Sequence, residues 1–243
     1  MPLLSSSHPF AGAALGVWQI GEAEVFFRDQ LPLSREEELE LDLLKHLRRL
    51  EWLAGRWLLH RLTGAPQRIP LAKDAFSKPF FLDQPDLHCS LSHSHGVVGA
   101  LLADRNCGCD IQVLVEKMPR LAPKFLNKPE FAFVNEHHLE AQFDLFHIFW
   151  TAKESLYKAY GLKELDFRKH LHVAPFEWNG SVGSAEGVIE KNEFRQVFRL
   201  EFEKWTLPDA NGAYICTTCR NSDRTDFLLQ QDHRNESPEG KFF

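Results

Sequence analysis

The chain has 243 residues, 44% of them hydrophobic and 26% charged, with a formal net charge of -6. That length holds one large or two small globular domains, and the acidic balance argues against a general nucleic-acid binder. The apolar run 11–20 is too short to cross a bilayer, and the first Lys or Arg is Arg28, so a secretory start is not expected and a cytoplasmic protein is.

Residues 16–27 mix apolar and polar side chains in near alternation, which predicts a strand. Ser34, with Glu36, Glu37 and Glu38 in the first turn, opens a helix that runs to Gly64. Leu39, Leu43, Leu47, Leu50, Ala54 and Trp57 fall along one stripe of that helix, as core residues would. Short segments follow at 69–72 and 89–91, separated by a Lys78-Pro79 loop. Residues 96–103 are small and apolar enough for a buried strand, Asp104-Arg105-Asn106 form a turn, and 107–115 make a second strand, a layout that predicts a hairpin. A basic stretch with Lys117, Arg120, Lys124 and Lys128 precedes a helix from about Glu136 to Tyr160. Strands are then expected around 170–174, 187–189, 194–202 and 213–219, with a turn at Asn211-Gly212.

Both halves run strand, long helix, strands. The expected fold is α+β: two similar subdomains related by a pseudo-two-fold, each a mostly antiparallel sheet packed with a long helix. The divisions are an N-terminal half at 1–106, a C-terminal half at 107–220 and a polar tail at 221–243.

Three segments carry chemistry. In the second long helix Glu154 and Lys158 lie one turn apart on one face, a spacing that serves a metal ion and a nucleophile together but also makes an ordinary surface ion pair. Asp110, after Gly108 and Cys109 in an apolar strand, is costly unless it is paired or holds a cation. With Glu154 it would supply hard oxygen ligands for Mg2+, and Gln112, on the same strand face, a neutral oxygen. Ser92-His93-Ser94 and the loop residue Lys78 offer donors and charge for phosphate oxygens; Arg49 and Arg56 are weaker candidates of the same kind, their other reading being solvation of the first helix. Five cysteines, an odd number, point to reduced thiols. Cys216-Thr-Thr-Cys219 has zinc-ligand spacing, yet its setting among small and β-branched residues favours core packing.

Taken together, Ser77-Lys78-Pro79, Ser90-Leu91-Ser92-His93-Ser94, Gly108-Cys109-Asp110-Ile111 and Phe149-Trp150-Thr151-Ala152-Lys153-Glu154-Ser155-Leu156-Tyr157-Lys158 resemble, in order and spacing, the surfactin-type 4'-phosphopantetheinyl transferases. The resemblance covers roughly residues 40–220. It implies that two α+β halves meet at a cleft for coenzyme A, and that a 4'-phosphopantetheine arm passes from coenzyme A to a serine of an acyl or peptidyl carrier protein. It implies Mg2+ on Asp110 and Glu154, Lys158 beside the reacting phosphate, and Lys78, Ser92 and His93 on the phosphates of coenzyme A. Glu130 is a weaker acidic candidate, and the expected state is a monomer with neither nucleic acid nor membrane as partner. Gln112 departs from the family, many of whose members carry Glu there. The basic run from Lys117 to Lys128, with Met118, Leu121 and Phe125, is the expected carrier-docking surface. A coenzyme A binder without turnover, a zinc-thiolate module and a metal-dependent phosphoesterase are the competing readings.

Overall fold

The computed structural model describes residues 3–207 and 212–222. Strands β1 (Leu3–Ser7) and β2 (Ala13–Gln19) come first, and the expected strand at 16–27 stops at Gln19, giving way to helix α1 (Glu24–Gln30). The long helix expected between Ser34 and Gly64 is two helices. Ser34 caps α2 (Arg35–Asp42) through a reciprocal capping box with Glu37, and α3 (His46–Thr63) ends on Gly64 in the left-handed conformation. The break shifts the apolar stripe: Leu39, Leu43 and Leu47 are exposed, while Ala54 and Trp57 are buried.

A small hairpin of β3 (Leu71–Lys73) and β4 (Pro79–Phe81) leads to β5 (His88–Ser94) and β6 (Val97–Ala103). These two join the first strands in an antiparallel sheet ordered β1-β2-β6-β5, against which α3 packs. After β7 (Cys107–Val113) come α4 (Met118–Leu121), α5 (Lys128–Asn135) and α6 (Leu139–Tyr160), the last capped by His138 and closed by Gly161 with φ 74°. The expected start of this helix at Glu136 thus lies in the link between α5 and α6. Strands β8 (Leu171–Val173), β9 (Val182–Lys191), β10 (Phe194–Thr206) and β11 (Ala213–Asn221) complete a second antiparallel sheet, ordered β7-β11-β10-β9-β8. The fold class is α+β, with one long helix on each sheet. The expected turn residue Asn211 and the tail from 223 onward lie outside the described residues.

One expectation fails here. Strands β6 and β7 do not form a hairpin: β6 pairs with β2 and β5, and β7 pairs with β11. The link at 104–106 instead carries the chain from one sheet to the other. Asn106 anchors it, its Nδ2 donating to Ala159 O at 3.0 Å and its own carbonyl accepting from Asn221 N at 2.9 Å.

The faces of β7 divide the work. Cys107, Cys109, Ile111 and Val113 enter a core shared with Leu15, Val17 and Leu101 of the first sheet, so Gly108, Asp110 and Gln112 turn to the α6 side. Gly108 lets the helix come this close, because a Cβ there would lie 2.0 Å from Ser155 O. The opposite face of α6 and the second sheet bury Leu145, Ile148, Phe149, Leu156, Phe198 and Ile215.

Candidate active site

The edges of the two sheets meet where β5 runs beside β7, and no backbone ladder joins them. Ser90, Ser92 and Ser94, alternate residues of β5, present hydroxyls that accept the backbone N–H of Cys109, Ile111 and Val113 at 2.9, 3.1 and 3.1 Å. Side-chain oxygens thereby satisfy the edge donors of β7 that a neighbouring strand would otherwise take.

Asp110 sits in the middle of this seam, nearly buried. Its Oδ1 accepts from Ser92 Oγ at 2.7 Å and from Lys158 Nζ at 2.7 Å, and Lys158 also donates to Cys109 O at 2.9 Å. Burial works against the lysine's charge, but Asp110 outweighs it and holds the Lys158 ammonium above the ordinary lysine range. Glu154, one turn earlier on α6, has no hydrogen-bond or ion-pair partner among the described residues. Burial, reinforced by the negative charge of Asp110, pushes its carboxyl up from 4.5 to about 7. Lys158 as a neutral base would need the opposite shift. Gln112 is half-buried on the same strand face, its Nε2 donating to Val113 O at 2.8 Å.

A cavity of about 240 Å³ opens beside Lys158, lined by Lys78, Pro79, Ser90, Leu91 and Tyr157 among others. The Lys78 ammonium points across it to the C-terminal end of α6, donating to Ala159 O and Asn106 Oδ1 at 2.7 Å each. A cation suits that end of a helix, although burial pulls Lys78 below the ordinary lysine range.

Ser92 and His93 were expected side by side on phosphate. Successive strand residues face opposite ways, and the structure separates them accordingly. Ser92 turns to Asp110, whereas His93 Nδ1 lies 3.1 Å from Glu51 Oε2 of α3, with the Arg48 guanidinium against its ring. The buried Glu51 also accepts from Gly96 N at 3.1 Å. Arg49 and Arg56 are engaged elsewhere. Arg49 bonds Glu24 at 2.7 Å and Leu41 O at 2.7 Å. Arg56 is buried on the Trp52 ring beside Glu37 and Glu40, with burial bringing it below the ordinary arginine range to about 10. Neither lines the cavity beside Lys158.

Glu130 does structural work. It closes the capping box of α5 and accepts from Val173 N at 3.1 Å. It also pairs at 2.7 Å with the fully buried Lys153, whose remaining protons go to Phe125 O and Phe167 O. Met118 and Phe125 are core residues, so the surface expected to dock a carrier keeps its exposed Lys117, Arg120, Lys124 and Lys128 but loses two of its apolar members. All five cysteines are buried and free, and Cys216 and Cys219 enter different cores from opposite faces of β11, which prevents them from chelating one ion. No described helix is long and apolar enough to cross a membrane.

Sequence reasoning did not single out Arg48, Glu51 or Asn106. The period-two recurrence of Ser90, Ser92 and Ser94 was visible, but its partner strand was not.

A family model of the 4'-phosphopantetheinyl transferase superfamily matches residues 106–219, which include β7, α6 and most of β11. The chain is 32% identical over 146 residues to the 4'-phosphopantetheinyl transferase AcpT of Salmonella typhi, covering 58% of this chain and 72% of that protein. It is 29% identical over 111 residues to the 4'-phosphopantetheinyl transferase gsp of Aneurinibacillus migulanus, 46% of each chain. With a 4'-phosphopantetheinyl transferase of Bacillus subtilis it shares 27% identity over 96 residues, 40% of this chain and 43% of that one. The matches to these last two relatives thus span less than half of their lengths. The chain belongs to the 4'-phosphopantetheinyl transferase superfamily.

Proposed function

We propose that this protein transfers the 4'-phosphopantetheine arm of coenzyme A to a serine hydroxyl of an acyl or peptidyl carrier protein in the cytoplasm, releasing adenosine 3',5'-bisphosphate, with Mg2+ as cofactor. One observation carries the reading beyond family membership. Glu154 lies within the electrostatic reach of Asp110 and one turn from Lys158, which lines the cavity, and both Glu154 and Asp110 Oδ2 lack hydrogen-bond partners among the described residues. A buried carboxyl raised by its burial and further by the charge of Asp110 would be stabilised in its ionised form by a hard divalent ion, and the oxygen donors of the pair suit Mg2+. Asp110 and Glu154 would hold it, with Gln112 contributing or supporting a further oxygen. Bound there, Mg2+ would neutralise charge on the pyrophosphate and on the departing bisphosphate.

The residues of the chain supply the rest. The carrier serine oxygen bonds the β-phosphorus, the bond from that phosphorus to the bisphosphate breaks, and Glu154 takes the hydroxyl proton. Lys158 keeps its proton, orients Asp110 and adds positive charge beside the transferring group. Lys78 and His93, the latter with Arg48, face the coenzyme's phosphates. The exposed Lys117, Arg120, Lys124 and Lys128 attract an acidic carrier locally, against the negative charge of the whole chain. We further propose that the halves 1–106 and 107–220 form the site within one monomer.

Intact-mass spectrometry of apo carrier proteins incubated with this protein, coenzyme A and Mg2+ tests the reading. A gain of about 340 Da on the carrier, abolished by EDTA, is expected for one arm on a serine. Unchanged carrier mass across acyl and peptidyl carriers overturns it.

A further inference from the structure

We propose that Ser92 is a positioning residue for the cation site: its hydroxyl fixes Asp110 so that Oδ2 is the oxygen presented to the metal. This rests on the reading of Asp110 and Glu154 as Mg2+ ligands. A serine hydroxyl has one proton to donate. Ser92 commits it to Asp110 Oδ1 at 2.7 Å while accepting from Ile111 N at 3.1 Å, and the side chain is nearly buried. In this arrangement it has no proton for a phosphate oxygen, the role expected of it from the sequence.

The second donor to Asp110, Lys158, reaches the same Oδ1. Both bonds therefore fall on one oxygen, and Oδ2 has no hydrogen-bond partner among the described residues. A carboxylate held in this way cannot rotate to exchange its oxygens without breaking two charge-assisted hydrogen bonds. Its free oxygen stays aimed while its negative charge is partly offset by Lys158. Ligating carboxylates are commonly oriented by such outer hydrogen bonds, and their loss typically weakens metal binding about 10–100-fold.

The seam supplies its own control. Ser94 makes the same bond to β7, Val113 N to Ser94 Oγ at 3.1 Å, but touches no carboxylate. Ser92→Ala and Ser94→Ala thus remove equivalent seam contacts, and only the first also removes a bond to Asp110.

The test is the affinity of the purified protein for Mn2+, a hard probe ion followed by electron paramagnetic resonance, together with thermal melting. Ser92→Ala is expected to weaken Mn2+ binding about 10–100-fold, Ser94→Ala to leave it unchanged, and both to lower the melting temperature, Ser92→Ala by more because it also removes the bond to Asp110. Ser92→Thr, which keeps the hydroxyl, should restore affinity. If Ser92→Ala does not fold, Ser92→Cys, a much weaker donor, carries the comparison. Equal Mn2+ affinity in Ser92→Ala and wild type overturns the proposal, as does an equal loss in Ser94→Ala. A higher KM for coenzyme A at unchanged Mn2+ affinity would restore Ser92 to the phosphate and also overturn it. Failure of the wild type to bind Mn2+ would remove the metal reading itself, a result distinct from any difference among the serine variants.

Discussion

Adding one methyl group at Gly108 should damage both the fold and the site, by an amount that the packing sets. A Cβ at this position would lie 2.0 Å from Ser155 O, 2.9 Å from the Ser155 carbonyl carbon and 3.0 Å from Ala159 N. All three are helix backbone, so no side chain can swing aside, and α6 must retreat from β7 by roughly 1 Å. Overpacking of this kind costs about 1–3 kcal/mol, and the rigid partner places Gly108→Ala near the upper end. In a chain of this size each kcal/mol lowers Tm by about 2–4 °C, so the variant should melt roughly 6–12 °C below wild type. Function should fall further than stability. The same approach brings Lys158 Nζ to 2.9 Å from Cys109 O and 2.7 Å from Asp110 Oδ1, and a misplacement of about 1 Å near reacting groups can cost about 100-fold in rate. Calorimetry and carrier-mass kinetics at a temperature where the variant is still folded separate the two effects. A Gly108→Ala protein with wild-type Tm and wild-type transfer would refute the claim that helix–strand contact at this glycine builds the site.

Four further outcomes follow from the structure. Glu154 is protonated below about 7 in the fold but ionises near 4.5 when unfolded, so its contribution to stability is lost as pH rises from about 4.5 to about 7. Glu154→Gln should flatten that part of the Tm-versus-pH curve and lower kcat about 10²–10⁴-fold as expected for a lost proton acceptor, and retention of both the curve and the rate would exclude the role. Metal binding should weaken as pH falls through about 7 and release protons, readable by calorimetry in buffers of different ionisation enthalpy. Lys153→Met strands the buried Glu130 carboxylate and should cost about 3–5 kcal/mol in urea unfolding, with part recovered in Lys153→Met/Glu130→Gln; an unaffected single variant would contradict the pairing. Gln112→Glu should tighten Mn2+ binding by adding a charge on the Asp110 face, and unchanged affinity would place Gln112 outside the ligand set.

Local signals carried much of the fold. Ser34 and Gly64 marked helix ends because capping is encoded within a few residues, and the strands of the second sheet were found from their own local residue pattern. Pairing was harder to see. The apolar runs that became β6 and β7 lie close in sequence, yet β7 has its ladder partner more than a hundred residues later, and no local pattern states that preference. The apolar stripe through Leu39, Leu43 and Leu47 continued the period of α3 in sequence, but the break at residues 43–45 rotates it into solvent. At the site, Asp110, Glu154 and Lys158 were legible because residue type and spacing advertise their chemistry. Ser90, Ser92 and Ser94 were legible as hydroxyls but not as a seam, since their acceptor role depends on which strand edge lies beside them. Arg49 and Arg56 illustrate the converse: basic residues on a helix announce charge, and only the neighbouring carboxylates of α1 and α2 reveal that it is already matched.

On the proposed function, the residues at this seam pass an arm from coenzyme A to a carrier instead of merely binding or hydrolysing the coenzyme. Quantifying adenosine 3',5'-bisphosphate and modified carrier in the same Mg2+-containing reaction tests it most directly. One bisphosphate released for each arm gained by the carrier, with neither product from Asp110→Ala, is the predicted result. Bisphosphate released without a matching gain on the carrier, or coenzyme A bound with neither product formed, would contradict it.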